Sequence, residues 1–149
     1  MIHGLDHINI VVSDLDRARR FFELFGFKTL DASALSGEWI SRIVQLEDVS
    51  ARYVRLELPG TACKVELIVY DHPVPEDQIH PGRANQIGLR HLAFAVQDIE
   101  QEVTRLESAG VEFLSDIHVY EKLGKKLVYF YGPDGILLEL AEYGTEQAE

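Results

Sequence analysis

Four side chains have the types and the setting to hold a metal ion: His7, Glu66, His91 and Glu139. Imidazole nitrogen and carboxylate oxygen together suit one divalent cation among Ni, Zn, Co, Mn and Fe(II). Both glutamates sit in apolar runs, Lys64-Val-Glu66-Leu-Ile-Val and Leu137-Leu-Glu139-Leu-Ala. A carboxylate flanked by leucine is costly to bury unless a cation neutralises it. Taken singly, each has a plain structural reading, because a lone strand histidine is usually a hydrogen-bonded filler and a lone strand glutamate usually faces solvent. Their placement within the chain changes that reading.

The chain says nearly the same thing twice. His7-Ile-Asn-Ile-Val-Val-Ser-Asp-Leu-Asp is answered by His91-Leu-Ala-Phe-Ala-Val-Gln-Asp-Ile-Glu, and Phe25-Gly26-Phe27 by Ala109-Gly110-Val111. His7 and His91, Asp14 and Asp98, and Gly26 and Gly110 are each 84 positions apart. One histidine therefore opens each repeat and one glutamate closes it, so a pseudo-twofold arrangement turns all four inward together.

The elements that must position these residues follow from periodicity. In the opening segments Ile8, Ile10 and Val12, or Leu92, Phe94 and Val96, alternate with His7 and Asn9, or His91 and Ala93, which predicts two-faced strands. Asp14 and Asp98 are placed to cap helices that follow. Leu15, Ala18, Phe21, Phe22 and Phe25 recur at helical spacing, as do Ile99, Val103 and Leu106, and Gly26 and Gly110 stand where those helices end. Strands are then expected over 28–30, 51–58 and 64–70 in the first half, and over 111–114, 126–131 and 136–140 in the second. Trp39 and Ile40 fall in a variable stretch between strands. Each half is thus β-α-β-β-β, giving an α+β domain over 1–149 with module one at about 1–72, a connector at about 73–87 and module two at about 88–143.

At 149 residues, with 25 acidic against 14 basic side chains and a net charge of −11, electrostatic attraction to nucleic acid or to an anionic membrane is disfavoured. No apolar run reaches the roughly 18–20 residues that span a bilayer, and a cytoplasmic location is expected. Cys63, the single cysteine, offers neither an internal disulfide nor a cysteine-based zinc site.

The Asp-His-Ile-Asn-Ile-Val-Val-Ser-Asp-Leu opening, the Gly-Leu-Arg-His-Leu-Ala-Phe-Ala-Val centre and the Gly-Pro-Asp-Gly-Ile-Leu-Leu-Glu-Leu close resemble the vicinal oxygen chelate superfamily. Its members include glyoxalase I, methylmalonyl-CoA epimerase, extradiol dioxygenases, fosfomycin resistance proteins and metal-free bleomycin-binding proteins. The resemblance covers almost the whole chain and implies two βαβββ modules forming a curved sheet around a metal site. The His, Glu, His, Glu order is similar to bacterial glyoxalase I and to the carboxylate-rich sets of the epimerases. It implies a metal-dependent lyase or isomerase that moves a proton next to a carbonyl through a metal-stabilised enediolate or enolate. On that basis Glu139 is expected to be a ligand that also acts as base, with Glu66 as its counterpart, though the two roles are interchangeable. Glutathione-using members carry arginine and asparagine where this chain has Val11 and Tyr70. A thiol adduct or an acyl-CoA thioester are therefore both open as the small carbonyl substrate. Glu66 stands where ring-cleaving dioxygenases carry histidine, which counts against oxygen-dependent cleavage; a non-catalytic ligand-binding or antibiotic resistance protein is the alternative from another class. Whether one chain's two halves close the site or two chains exchange halves, a homodimer is expected.

Other residues have weaker claims. Asn9 shares the His7 face, either to meet substrate or to support a ligand. Trp39 is expected to plug the core, and Tyr129 and Tyr131 share a face that could approach the site. Lys122, Lys125, Lys126, Arg83 and Arg90 could meet an anionic substrate, but basic loop residues of an acidic protein are ordinarily solvated. His3, His72, His80 and His118 lack a repeat partner and are left out of the metal set.

Overall fold

The computed structural model describes residues 3–76, 83–85 and 87–144; His80 and Pro81 of the connector lie outside them. The chain divides into two compact units, Met1–Asp77 and Gln78–Glu149.

The first unit runs β1 (His7–Val11), α1 (Leu15–Glu23), β2 (Lys28–Ser36), α2 (Glu38–Val44), β3 (Ser50–Glu57) and β4 (Lys64–His72). Its four strands form one sheet in the order β1-β4-β3-β2, with β1 parallel to β4 and the other pairs antiparallel. The second unit repeats the plan with β5 (His91–Ala95), α3 (Ile99–Ser108), β6 (His118–Tyr120), β7 (Lys125–Tyr131) and β8 (Leu137–Tyr143), in the order β5-β8-β7-β6 and again with the first and last strands parallel. The α+β class and the duplicated plan are therefore as the sequence predicts, carried by two four-stranded sheets.

Both repeat helices begin as their aspartates require. The Asp14 carboxylate accepts the Arg17 backbone N–H at 2.9 Å and the Asp98 carboxylate accepts that of Gln101 at 2.9 Å, each satisfying a donor that the helix start leaves unpaired. Gly26 and Gly110, at φ of +85° and +90°, take the left-handed conformation that ends such helices. The apolar stripes are then buried: Ala18 and Phe22 in the first unit, Ile99 and Leu106 in the second. Phe22 meets Phe27 edge to face with ring centres 5.4 Å apart, and fully buried Leu56 and Leu67 come from the neighbouring strands. In the second unit Val128, Phe130, Leu138 and Leu140 make the corresponding core. The other face of each sheet is mixed: buried Ala51 and Ile68 share it with Glu66 in the first unit, and buried Leu137 and Ala141 share it with Glu139 in the second.

Three local expectations are corrected. The variable stretch holds a helix, α2, braced by an i,i+4 ion pair between Glu38 and Arg42. Seven residues are too few for helical periodicity to show in sequence. Trp39 does not plug the core but is 56% exposed, whereas its neighbour Ile40 is buried with Val49, Ala51 and Ile68. In the second unit the expected strand at 111–114 is reduced to a single bridge between Phe113 and Phe130, and the outer strand is instead the three-residue β6. Pairing to β7 decides which segment becomes the edge, and residue preference does not encode that partner.

Candidate metal centre

Each unit places its histidine and glutamate on adjacent parallel strands. In the first, His7 lies opposite Lys64 and Glu66 opposite Asn9. The Asn9 side-chain amide donates to Glu66 Oε1 at 2.8 Å, which makes Asn9 a support for a candidate ligand. His7 Nδ1 is 2.7 Å from the Asp6 carboxylate, so this ring nitrogen is engaged and Nε2 is turned to other partners. The same contact holds the Asp6 carboxyl below its ordinary value, with the His7 hydrogen bond as the largest cause. On β3, opposite Glu66, stands Arg55, whose guanidinium is bound to Asp31 on β2.

In the second unit the pair is closed up. His91 Nε2 lies 3.1 Å from Glu139 Oε2. Lys125, from the start of β7, reaches the other oxygen, with its ammonium donating to Oε1 at 2.5 Å. Tyr129 faces Glu139 across the β7–β8 pair and meets the His91 ring edge to face at 5.2 Å. Burial, with the Glu139 carboxylate beside it, pushes the Tyr129 phenol above its ordinary value. Glu139 is 2% exposed and is, among the described residues, the one charged side chain in the buried core. A carboxylate this deep needs compensating charge, and its surroundings supply it from both sides.

Lys125 is the residue that sequence reading missed. It was expected to be solvated with Lys122 and Lys126, but strand alternation sends the adjacent lysines to opposite faces of β7. Lys126 goes to the helix side, 2.8 Å from Glu100 and 3.3 Å from Glu142, and Glu142 in turn accepts the Ile99 backbone N–H at the start of α3. Lys125 goes to the ligand side. A strand boundary placed one residue earlier would have revealed it.

Of the remaining candidates, His72 Nδ1 is 2.9 Å from the Asp48 carbonyl, and His118 is exposed on β6. Cys63 is half-buried beside the Lys64 carbonyl. Among the described residues no single cluster gathers three or more His, Cys, Asp or Glu side chains in metal-binding positions; the ligand candidates stand as one pair per unit. The donor set nevertheless fits a divalent cation, since each pair offers an imidazole and a carboxylate and Glu139 is buried with His91 against Oε2.

A family model, described as the Glyoxalase/Bleomycin resistance protein/Dioxygenase superfamily, matches residues 4–140. The chain belongs to this superfamily. Along 95% of its length it is 29% identical to the uncharacterized protein YwkD of Bacillus subtilis (strain 168), of which 98% is covered. It is 27% identical to the mitochondrial methylmalonyl-CoA epimerase of Mus musculus, covering 93% of this chain and 72% of that protein. Among solved structures, a glyoxalase family protein from Bacillus cereus superposes with a TM-score of 0.88 at 29% identity, covering 96% of this chain and 95% of the other. No helix among the described residues is long and apolar enough to cross a membrane.

Proposed function

We propose that the protein is a metal-dependent lyase or isomerase that moves a proton next to a carbonyl, with His7 and Glu66 of the first unit and His91 and Glu139 of the second as its candidate ligands for a divalent cation. The observation that carries this reading is the buried Glu139 carboxylate with His91 Nε2 at 3.1 Å, repeated in type by His7 and Glu66 on the equivalent strands of the first unit. Likeness to methylmalonyl-CoA epimerase along 93% of the chain supports a carbonyl substrate of the acyl-CoA or thiol-adduct class.

When bound, the cation would supply Lewis acidity at the carbonyl oxygen and so acidify the neighbouring C–H bond. The proton then needs a carboxylate that can take it and return it. Glu66 suits that task better than Glu139. One of its oxygens accepts from the neutral Asn9 amide, and its side chain is only half-buried. Glu139 is bracketed by an ammonium and an imidazole, which hold it in place. Glu139 is thus the fixed ligand and Glu66 the proton carrier, the reverse of the order expected from resemblance. Asp6 orients His7, and Tyr129 walls His91.

The test is metal content by elemental analysis of the purified protein beside His7→Ala and Glu139→Ala. Turnover of the reloaded protein on methylmalonyl-CoA and on methylglyoxal–thiol adducts follows. About one divalent ion per site, lost in both variants, supports the chelate; a wild type that cannot be loaded with any of the five metals overturns it. Glu66→Gln should abolish proton exchange with solvent while retaining bound metal.

A further inference from the structure

The second unit holds a lysine against Glu139, whereas among the described residues the equivalent Glu66 of the first unit is met by the neutral Asn9 amide. Lys125 donates to Glu139 Oε1 at 2.5 Å, and its side chain is only 17% exposed beside a carboxylate at 3%. The ammonium also lies 5.5 Å from the centre of the Tyr143 ring, a second contact that favours its charge at this position. In the matching strand of the first unit, the residue four before Arg55 is Ala51, as Lys125 is four before Tyr129. Nothing in the repeat demands a lysine there.

We propose that Lys125 is the resident counter-cation of Glu139: it neutralises the buried carboxylate in the metal-free protein and competes with a divalent cation for it. The inference rests on the metal-binding reading above. The argument is one of charge. A buried carboxylate short of compensating charge is strongly unfavourable, so Lys125 on Oε1, beside His91 on Oε2, stabilises the metal-free unit. A divalent cation held by Glu139 would meet the Lys125 ammonium as a like charge in a poorly screened site. The same lysine therefore stabilises the empty protein and weakens the loaded one. Metal affinity at the His91–Glu139 pair is set below what the imidazole and the carboxylate alone would give.

The experiment compares wild type, Lys125→Met, Lys125→Arg, Glu139→Gln and the double variant Lys125→Met/Glu139→Gln as full chains. Thermal melts of the metal-free proteins come first. Lys125→Met should melt about 10 °C below wild type, whereas adding Lys125→Met to a Glu139→Gln background should not lower the melt further and should raise it, because the lysine is there an uncompensated cation. Titration with Co(II), followed by calorimetry, comes second. Lys125→Met should bind Co(II) roughly tenfold or more tightly than wild type, and Lys125→Arg, which keeps the charge, should stay close to wild type. Equal or weaker binding by Lys125→Met, with wild type binding normally, overturns the competition and leaves the metal reading intact. Failure of wild type and Lys125→Met alike to bind Co(II) removes the metal reading instead. Binding by Lys125→Met alone supports the proposal. Should Lys125→Met prove too unstable to titrate, Lys125→Gln, which keeps a hydrogen-bond donor without the charge, carries the same expectation.

Discussion

The two glutamates occupy equivalent register positions in the two units, Glu66 opposite Asn9 on a parallel strand and Glu139 opposite Ala93. Their surroundings differ in kind. Glu66 is half-buried and held by one neutral amide, with the nearby Arg55 bound to Asp31. Glu139 is in the core with a lysine on one oxygen and a histidine on the other. The histidines differ in the complementary way, since His7 has its own carboxylate in Asp6 while the residue before His91 is Arg90. Duplication fixes where a ligand sits; the neighbours around it fix how firmly it is held. A rigid carboxylate suits ion binding, and a looser one suits proton transfer.

Substitution of the two glutamates breaks the comparison most sharply. Glu139→Leu leaves Lys125 as an uncompensated cation at a mostly buried position and should cost about 3 kcal/mol or more in urea unfolding of the metal-free protein. Glu66→Leu should cost under about 1 kcal/mol, because its site is partly solvated and only an amide loses its partner. Equal losses would show that burial differs less than the structure indicates.

Asp6 sharpens the comparison from the other side. Asp6→Ala should weaken Co(II) binding by roughly 10-fold to 100-fold, the usual cost of removing a group that orients a ligating histidine. Stability should hardly change, as the Asp6 side chain is exposed. Arg90→Ala, at the corresponding place before His91, is expected to have little effect on binding measured in the same calorimeter.

A smaller difference is expected in pH dependence. The Lys125 ammonium and the Tyr129 phenol both titrate above their ordinary values in the folded protein. For a group whose folded value is raised, the stabilisation is fully present below its unfolded value and is lost as pH rises through the folded one. Those unfolded values are 10.5 and 10.0. Metal-free protein should therefore lose stability above about pH 10, and Lys125→Met should flatten that alkaline limb in melts followed by circular dichroism. An unchanged slope would mean that the Lys125–Glu139 pair contributes little to folding.

What the sequence determined by itself is the duplicated framework. The spacing of His7 and His91, the capping aspartates Asp14 and Asp98, the helical stripes and the glutamates in apolar strands are local patterns, repeated without a gap, and each is legible from period and residue type. Tertiary structure decided the rest. Helix α2 is too short to announce itself, and β6 exists only because β7 pairs with it. Asn9 reaches Glu66 across 57 intervening sequence steps, and Lys125 reaches Glu139 across 14. Whether a lysine beside a turn meets water or a buried carboxylate depends on which residue begins the strand, and hydrogen bonding to a neighbouring strand sets that boundary. The sequence could name the ligands because their type and repetition are local facts; the charge that surrounds each of them is a property of strand pairing, which only the folded chain supplies.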